Sequence, residues 1–130
     1  MRIDVNYLKT VLDKFVDNEK EYLNTEVLQS LIDEDLEKFS FHWDILKDKQ
    51  CIVLKNGNPP NIIQRSSNHT TTIIKHNYVR LSDDGYNFYE SIKDNEFRNK
   101  IKKDFKDISI ETLWLVAKRF LDNKIDNFLG

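Results

Sequence analysis

The residues of this sequence that could carry chemistry are three histidines, one cysteine and a short segment rich in serine. Ser66, Ser67 and His69 offer a nucleophile and a base, but a polar segment without an orienting acid does not activate a nucleophile. His42, His69 and His76 lack the mutual spacing, and the cysteine partners, that zinc sites use. With 3 glycines in the chain, a glycine-rich phosphate loop is impossible. We therefore predict that the protein is not an enzyme and has no catalytic residues, no metal site and no cofactor.

Charge is spread unevenly along the chain. Residues 1–48 contain 6 Lys and Arg against 12 Asp and Glu, a net charge of −6. Residues 49–81 contain 5 basic residues and no acidic one, a net of +5, and residues 82–130 contain 9 against 10. A basic segment between acidic flanks could contact phosphates. The candidate nucleic-acid contacts in this segment are Lys55, Arg65, Lys75 and Arg80.

The composition predicts one folded domain over residues 1–130. Hydrophobic residues make up 39% and aromatic residues 12%, enough for an ordinary core, while 32% charged residues indicate helices with solvated outer faces. No apolar run approaches the ~20 residues that span a bilayer, so we expect no membrane contact. The single cysteine, Cys51, permits no internal disulfide and predicts a reducing, cytoplasmic setting, with its thiol buried in an apolar run.

The stretch from His76 to Ile92 predicts a strand that stops at a helix cap. Val79 and Leu81 share one face of the strand, because strand side chains alternate. Ser82 is a favourable N-cap for the helix that follows. Two aspartates then occupy the first turn, where the helix dipole favours negative charge. Gly85 lies in this turn, and we expect the helix to pass close to another element there.

Three further helices are predicted before this stretch. Asp4 caps the first, which runs to about Val16, and Asn24 or Thr25 caps a short second one. A small strand at residues 21–23 could pair with a later hairpin. An acidic turn leads to the third helix, Leu36 to Asp48, in which apolar residues recur at helical spacing. Apolar residues predicted to face inward from these helices include Val5, Leu8, Leu12, Phe15, Val16, Val27, Leu28, Leu36, Phe39, Trp43 and Leu46.

The middle of the chain predicts strands. Residues 51–54, 62–63 and 70–74 are rich in β-branched side chains and are bounded by turn residues. The third of these segments could pair with Tyr78–Leu81 or with Cys51–Leu54, and the sequence leaves that choice open. The polar residues 65–69 are expected at an exposed tip.

Two helices follow at the C-terminal side. Asp94 or Asn95 starts one, with Phe97, Ile101 and Phe105 facing inward and Arg98 facing outward among several lysines. Ser109 caps the last helix, whose segment 113–117 is apolar on every side. Such a segment indicates coverage by the core on one side and by a partner or second copy on another. The candidate interface residues are Trp114, Leu115, Val116, Phe120 and Phe128.

The order of these elements predicts an α+β fold with a winged helix-turn-helix core. Three helices and a small antiparallel β-hairpin wing, at about residues 51–81, form a core over residues 1–92. Residues 93–130 form a C-terminal helical extension.

The segment Arg80-Leu81-Ser82-Asp83-Asp84-Gly85-Tyr86-Asn87-Phe88 resembles the "R-L-T-x-x-G-x-x-F" pattern of a family of small phage and prophage proteins. That family is a domain of unknown function with a winged-helix-like core. Ile92-Lys93-Asp94-Asn95-Glu96-Phe97 and the helix from Ser109 to Leu121 follow in the family's order. Ser82 stands where Thr is usual, and Phe97 where Trp is usual. The resemblance implies fold and a phage-type origin more than any chemistry.

The charge of the third helix favours protein binding over DNA binding. With the turn before it, this helix offers five acidic residues against three lysines, and no Arg or Asn for bidentate base contacts. We therefore expect a binding protein that acts through a homodimer or a host or phage protein and that could modulate host regulation or defence. The alternative is a DNA-binding regulator that contacts phosphates through the basic wing.

Overall fold

The computed structural model describes the whole chain, Met1 to Gly130, as an α+β fold with six helices and two small antiparallel sheets. The helices are α1 Val5–Val16, α2 Gln29–Glu34, α3 Leu36–Asp48, α4 Asp83–Ile92, α5 Asn95–Asp104 and α6 Ile110–Leu129. The strands are β1 Leu23–Asn24, β2 Ile52–Leu54, β3 Ile63–Arg65, β4 Thr72–Ile74 and β5 Tyr78–Leu81. A short 3₁₀ helix, Thr25–Leu28, runs directly into α2.

Side-chain caps fix the starts of most helices, as the sequence predicts. The side chains of Asp4, Ser82, Asp94 and Ser109 each accept a hydrogen bond from a backbone N–H three residues later, at the starts of α1, α4, α5 and α6. Asn24, rather than Thr25, caps the second helical segment by accepting from the N–H of Glu26. These caps satisfy N–H groups that the first turn of a helix leaves without partners.

Strands β2 to β5 form one long hairpin with a nested inner pair, and β1 adds a third strand to the outer sheet. In the first sheet β5 lies between β1 and β2, with Leu23 opposite Val79 and Ile52 opposite Leu81. The predicted small strand near Leu23 is thus confirmed. The second sheet pairs β3 with β4.

Both pairings that the sequence left open for residues 70–74 are wrong, because the strand pairs with β3 instead. The turn between the two strands decides this pairing. Ser66 donates its N–H to the carbonyl of Thr71 at 2.8 Å, and His69 adopts a positive φ of 57°. The chain therefore reverses over residues 66–71 and places β4 directly on β3.

One apolar cluster joins α1, α3, the first sheet and the three C-terminal helices. Its largest fully buried side chains are Trp43 and Phe39, whose stacked rings lie 5.4 Å apart. Two predicted core positions are wrong, because Val16 and Val27 are exposed. Val16 ends α1, and Val27 lies in the 3₁₀ helix, where a turn of about three residues changes which side chains face inward.

The orientation predicted for α5 is wrong at two positions. Phe105 is exposed, because α5 ends at Asp104 and the backbone of Phe105 leaves the helical conformation. Arg98 is buried, with 9% of its surface exposed, although the sequence predicts it outside. Its guanidinium donates from Nε to Oδ1 of Asn6 at 3.0 Å and from Nη1 to the carbonyl of Ile92 at 2.8 Å. Arg98 therefore ties α5 to α1 and to the C-terminus of α4.

Candidate binding surfaces

The four candidate nucleic-acid contacts lie on the hairpin in three different environments. Lys55 and Lys75 are exposed and make no ion pair. Arg65 places Nη1 3.0 Å from Oε1 of Glu37 on α3. Arg80 is partly buried, and its Nη1 donates to the carbonyl of Leu81 at 3.2 Å. Two of the four cations are therefore bound to groups of this chain, and two are free to meet phosphates.

The hairpin lies along one flank of α3. Nε1 of Trp43 donates to the carbonyl of Pro60 at 2.9 Å, and Nζ of Lys47 donates to Oδ1 of Asn61 at 2.7 Å. Ile62 is almost fully buried beside them. With the pair between Arg65 and Glu37, these contacts extend from the first turn of α3 to its last.

The sequence does not indicate this contact between hairpin and helix. The only signal is the indole of Trp43 itself, because a buried Trp N–H usually needs an acceptor.

The carboxylates of α3 have different partners. Asp35 caps the helix, accepting from the N–H of Lys38 at 3.0 Å, and Asp44 lies 3.3 Å from Nζ of Lys47. Glu34 and Asp48 are exposed and form no ion pair. A surface pair of this kind stabilises the fold by only about 0–1 kcal/mol. The carboxylates of Glu34, at the end of α2, and of Asp48 therefore remain as unpaired negative charges next to and on α3.

The three histidines lie apart and do not form one site. His42 is fully buried. Its Nδ1 donates to the carbonyl of Lys38 at 2.7 Å, and its Nε2 accepts the N–H of Asp4 at 3.0 Å. His76 lies with Nδ1 3.0 Å from Oγ1 of Thr25, and His69 is exposed in the inner turn. No group of three or more His, Cys, Asp or Glu side chains in the structure could hold a metal ion.

Burial shifts the pKa of His42 and of Cys51, whereas a hydrogen bond and a nearby cation lower the pKa of Asp4. Burial lowers the pKa of His42 below its ordinary value, so the imidazole is neutral with its proton on Nδ1. Although burial opposes the change, the N–H of Tyr7 and the ammonium of Lys38 lower the pKa of Asp4. Burial raises the pKa of Cys51 to about 12, which keeps this thiol protonated. A buried, protonated thiol is a poor nucleophile.

Helix α6 carries the five candidate interface residues in two groups. Three of them pack within the chain: Trp114 lies 5.2 Å from the ring of Phe88, Phe120 lies 5.1 Å from Phe97, and Val116 packs against the core. The other two point outward, since Leu115 is 49% and Phe128 88% exposed. No helix of the structure combines the length and apolarity needed to cross a bilayer.

The exposed apolar surface of α6 is larger than the sequence indicated. Ile125 and Leu129, at 46% and 76% exposure, add to Leu115 and Phe128. A cleft of about 250 Å³ opens between α4 and α6 beside Trp114 and Leu121. Single exposed apolar residues are ordinary on protein surfaces, but several on one helix indicate an interaction surface.

No protein-family model, curated protein or solved structure that was compared with this chain matches it. The surfaces of the molecule are therefore the basis for a functional proposal.

Proposed function

We propose that this chain is a non-catalytic, phage-type winged-helix protein that acts by binding other proteins, as a homodimer, with a host or phage protein, or both. The winged-helix assignment is supported by the order α1, β1, α2, α3, β2 and β5, with β5 between the two other strands. In such an arrangement α3 takes the place of the helix that reads a major groove, and the nested hairpin takes the place of the wing.

The observation that carries the protein-binding function is the contact between the hairpin and α3. The bonds from Trp43 to Pro60 and from Lys47 to Asn61 hold the chain against one flank of the helix. A duplex would need that space in order to bring base edges close to α3. The helix that should enter the groove is thus partly occupied by its own hairpin.

Exposed carboxylates on α3 and next to it support the same function. Asp44 and Asp48 are exposed on α3, with Asp44 3.3 Å from Nζ of Lys47, and Glu34 is exposed at the end of α2. Carboxylates in this position would be repelled by phosphates but would attract a basic protein surface. A basic partner, such as a host regulator or a defence protein that itself binds nucleic acid, fits this face. Its association with the chain would be fast at low salt and slower at high salt.

The alternative function, DNA binding through the wing, is favoured by one observation. Lys55 and Lys75 are exposed and unpaired on the hairpin. Two phosphate contacts would give weak, sequence-independent binding that falls with salt.

A fluorescence-anisotropy titration with mixed-sequence duplex DNA separates the two functions. We expect no saturable binding below about 1 μM protein at ionic strengths of about 50 and about 150 mM. Submicromolar binding with a steep salt slope would overturn the protein-binding function if the triple variant Lys55→Ala, Arg65→Ala, Lys75→Ala abolished it. The matched control replaces Lys100, Lys102 and Lys103, three exposed lysines of α5 that form no ion pair.

A further inference from the structure

One exposed side of α6, which borders the cleft toward α4, carries a pattern of residues that can pair with itself. Leu115, Lys118, Asp122 and Ile125 are all exposed. Their spacing of three, four and three residues places them within about 80° of one another around a helix that advances about 100° per residue. This is the spacing of side chains that meet across two packed helices.

The order of the four residues is symmetric about Phe120. If two copies of α6 lie side by side in opposite directions and cross at this position, Lys118 of each copy faces Asp122 of the other. Leu115 of each copy then faces Ile125 of the other. Among these four residues, each apolar side chain meets an apolar one and each charge meets its opposite.

The direction of the pairing follows from the same charges. In a parallel pair, Lys118 would face Lys118 and Asp122 would face Asp122, which is unfavourable. Neither side chain forms an ion pair within its own chain, although the ammonium of Lys118 lies 5.9 Å from the centre of the Trp114 ring. Both charges are therefore available to a second copy.

We propose that the protein forms a two-fold homodimer in which α6 packs antiparallel against α6 of a second copy, with two reciprocal pairs between Lys118 and Asp122. The proposal names the partner of the protein-binding function and rests on it. A two-fold axis midway between the two Phe120 positions repeats the same contacts on both sides. Phe128 of each copy then lies at the level of Thr112 of the other.

The test exchanges the charges and measures mass in solution by analytical ultracentrifugation. The unchanged protein should sediment with twice its 15.5 kDa monomer mass at high concentration. Each single variant, K118D or D122K, puts like charges opposite each other twice and should raise the dissociation constant about tenfold or more. The double variant K118D/D122K should restore dimerisation. An equimolar mixture of the two single variants should form a heterodimer, because their charges are then complementary.

Controls separate this result from a loss of fold. K100D, on the exposed side of α5, makes the same charge change elsewhere and should leave the dimer unchanged. Circular dichroism of every variant should match that of the unchanged protein, since all the altered side chains are exposed.

Three outcomes would overturn the proposal: a monomer at all concentrations, a dimer that is indifferent to the single exchanges, or a double variant that does not recover. None of these outcomes affects the DNA titration. The sedimentation experiment therefore tests the dimer, and the titration tests the protein-binding function, independently of each other.

Discussion

Gly85, in the first turn of α4, lies against the carbonyl group of Cys51 at the start of β2. A Cβ atom added to Gly85 would overlap the carbonyl oxygen and lie 3.0 Å from the carbonyl carbon. The same carbonyl accepts the N–H of Ser82 at 2.9 Å, and the hydroxyl of Ser82 donates to the carbonyl of Gln50 at 2.5 Å. These contacts fix the end of β5 and the cap of α4 relative to the segment that follows α3. The close approach expected at Gly85 is confirmed.

Gly85→Ala should therefore destabilise the protein by about 3 kcal/mol, because the backbone of Cys51 cannot move away without breaking the bond to Ser82. The measurement is the free energy of unfolding in urea. Asn87→Ala, at an exposed position of the same helix, is the control and should change that free energy by less than about 0.5 kcal/mol. An unfolding free energy that is equal in the two variants would contradict the close contact.

Arg98→Ala should cost about 2–4 kcal/mol, since it leaves the carbonyl of Ile92 without its buried donor and removes the link to Asn6. Arg98→Lys should recover little of this loss, because one ammonium cannot reach acceptors on two helices in the way that a planar guanidinium does. Thermal unfolding of both variants tests the expectation. Lys100→Ala, two residues later on the exposed face, should leave the melting temperature nearly unchanged. If Arg98→Ala melted like Lys100→Ala, the buried position of Arg98 would be wrong.

His42 should make the protein less stable as pH falls. Protonation of Nε2 would turn the acceptor of the Asp4 N–H into a donor, and burial lowers the pKa of His42 below 6.5. The folded state thus binds fewer protons at this site than the unfolded state does. The stabilisation is fully present above about pH 6.5 and is lost as pH falls through the lower, folded-state pKa. We expect the melting temperature to fall between about pH 7.5 and about pH 5.

His42→Gln tests this assignment. The variant should be less stable at neutral pH by about 2 kcal/mol, yet its melting temperature should change less with pH over the same range. His69→Gln, at an exposed position, is the control and should keep the pH dependence of the unchanged protein. The carboxyl of Asp4 does not confuse the result, because its lowered pKa confines its contribution to more acidic conditions. A His42→Gln profile as steep as that of the unchanged protein would exclude His42 as the cause.

Trp43→Phe should loosen the hairpin from α3. The substitution keeps an aromatic ring beside Phe39 but removes the N–H that donates to the carbonyl of Pro60. We expect a loss of about 1–2 kcal/mol and faster amide hydrogen exchange in β3. Trp114→Phe is the matched control, since its indole N–H makes no hydrogen bond within the chain. Equal exchange rates in β3 for the two variants would show that this bond does not hold the hairpin.

Local features of the fold could be predicted from the sequence, because they depend on a few neighbouring residues. Asp4, Ser82 and Ser109 start helices through bonds to groups three residues away. Strand pairing could not be predicted in the same way. A run of β-branched residues fits any neighbouring strand, and the positive φ of His69, which closes the inner turn, leaves no mark in the hydrophobic pattern.

In the candidate surfaces, too, the sequence predicts local composition but not contacts between residues far apart in the chain. The basic character of the hairpin follows from composition, but the pairing of Arg65 with Glu37 joins residues far apart in the chain. The outward orientation predicted for Arg98 was wrong. Its position next to Phe97 is at the edge of the apolar stripe, and its hydrogen bond to the C-terminal end of α4, rather than its spacing, places it inside. The acid-rich composition of α3 was visible in the sequence, whereas the chain segment lying along it was not.

The burial of Cys51 has a practical consequence. Because the only native thiol is enclosed and stays protonated, a maleimide dye or spin label will not attach to it in the folded protein. A cysteine introduced at position 128 can then be labelled alone, without removing the native residue. Two such labels report directly on the separation of the α6 ends when copies meet.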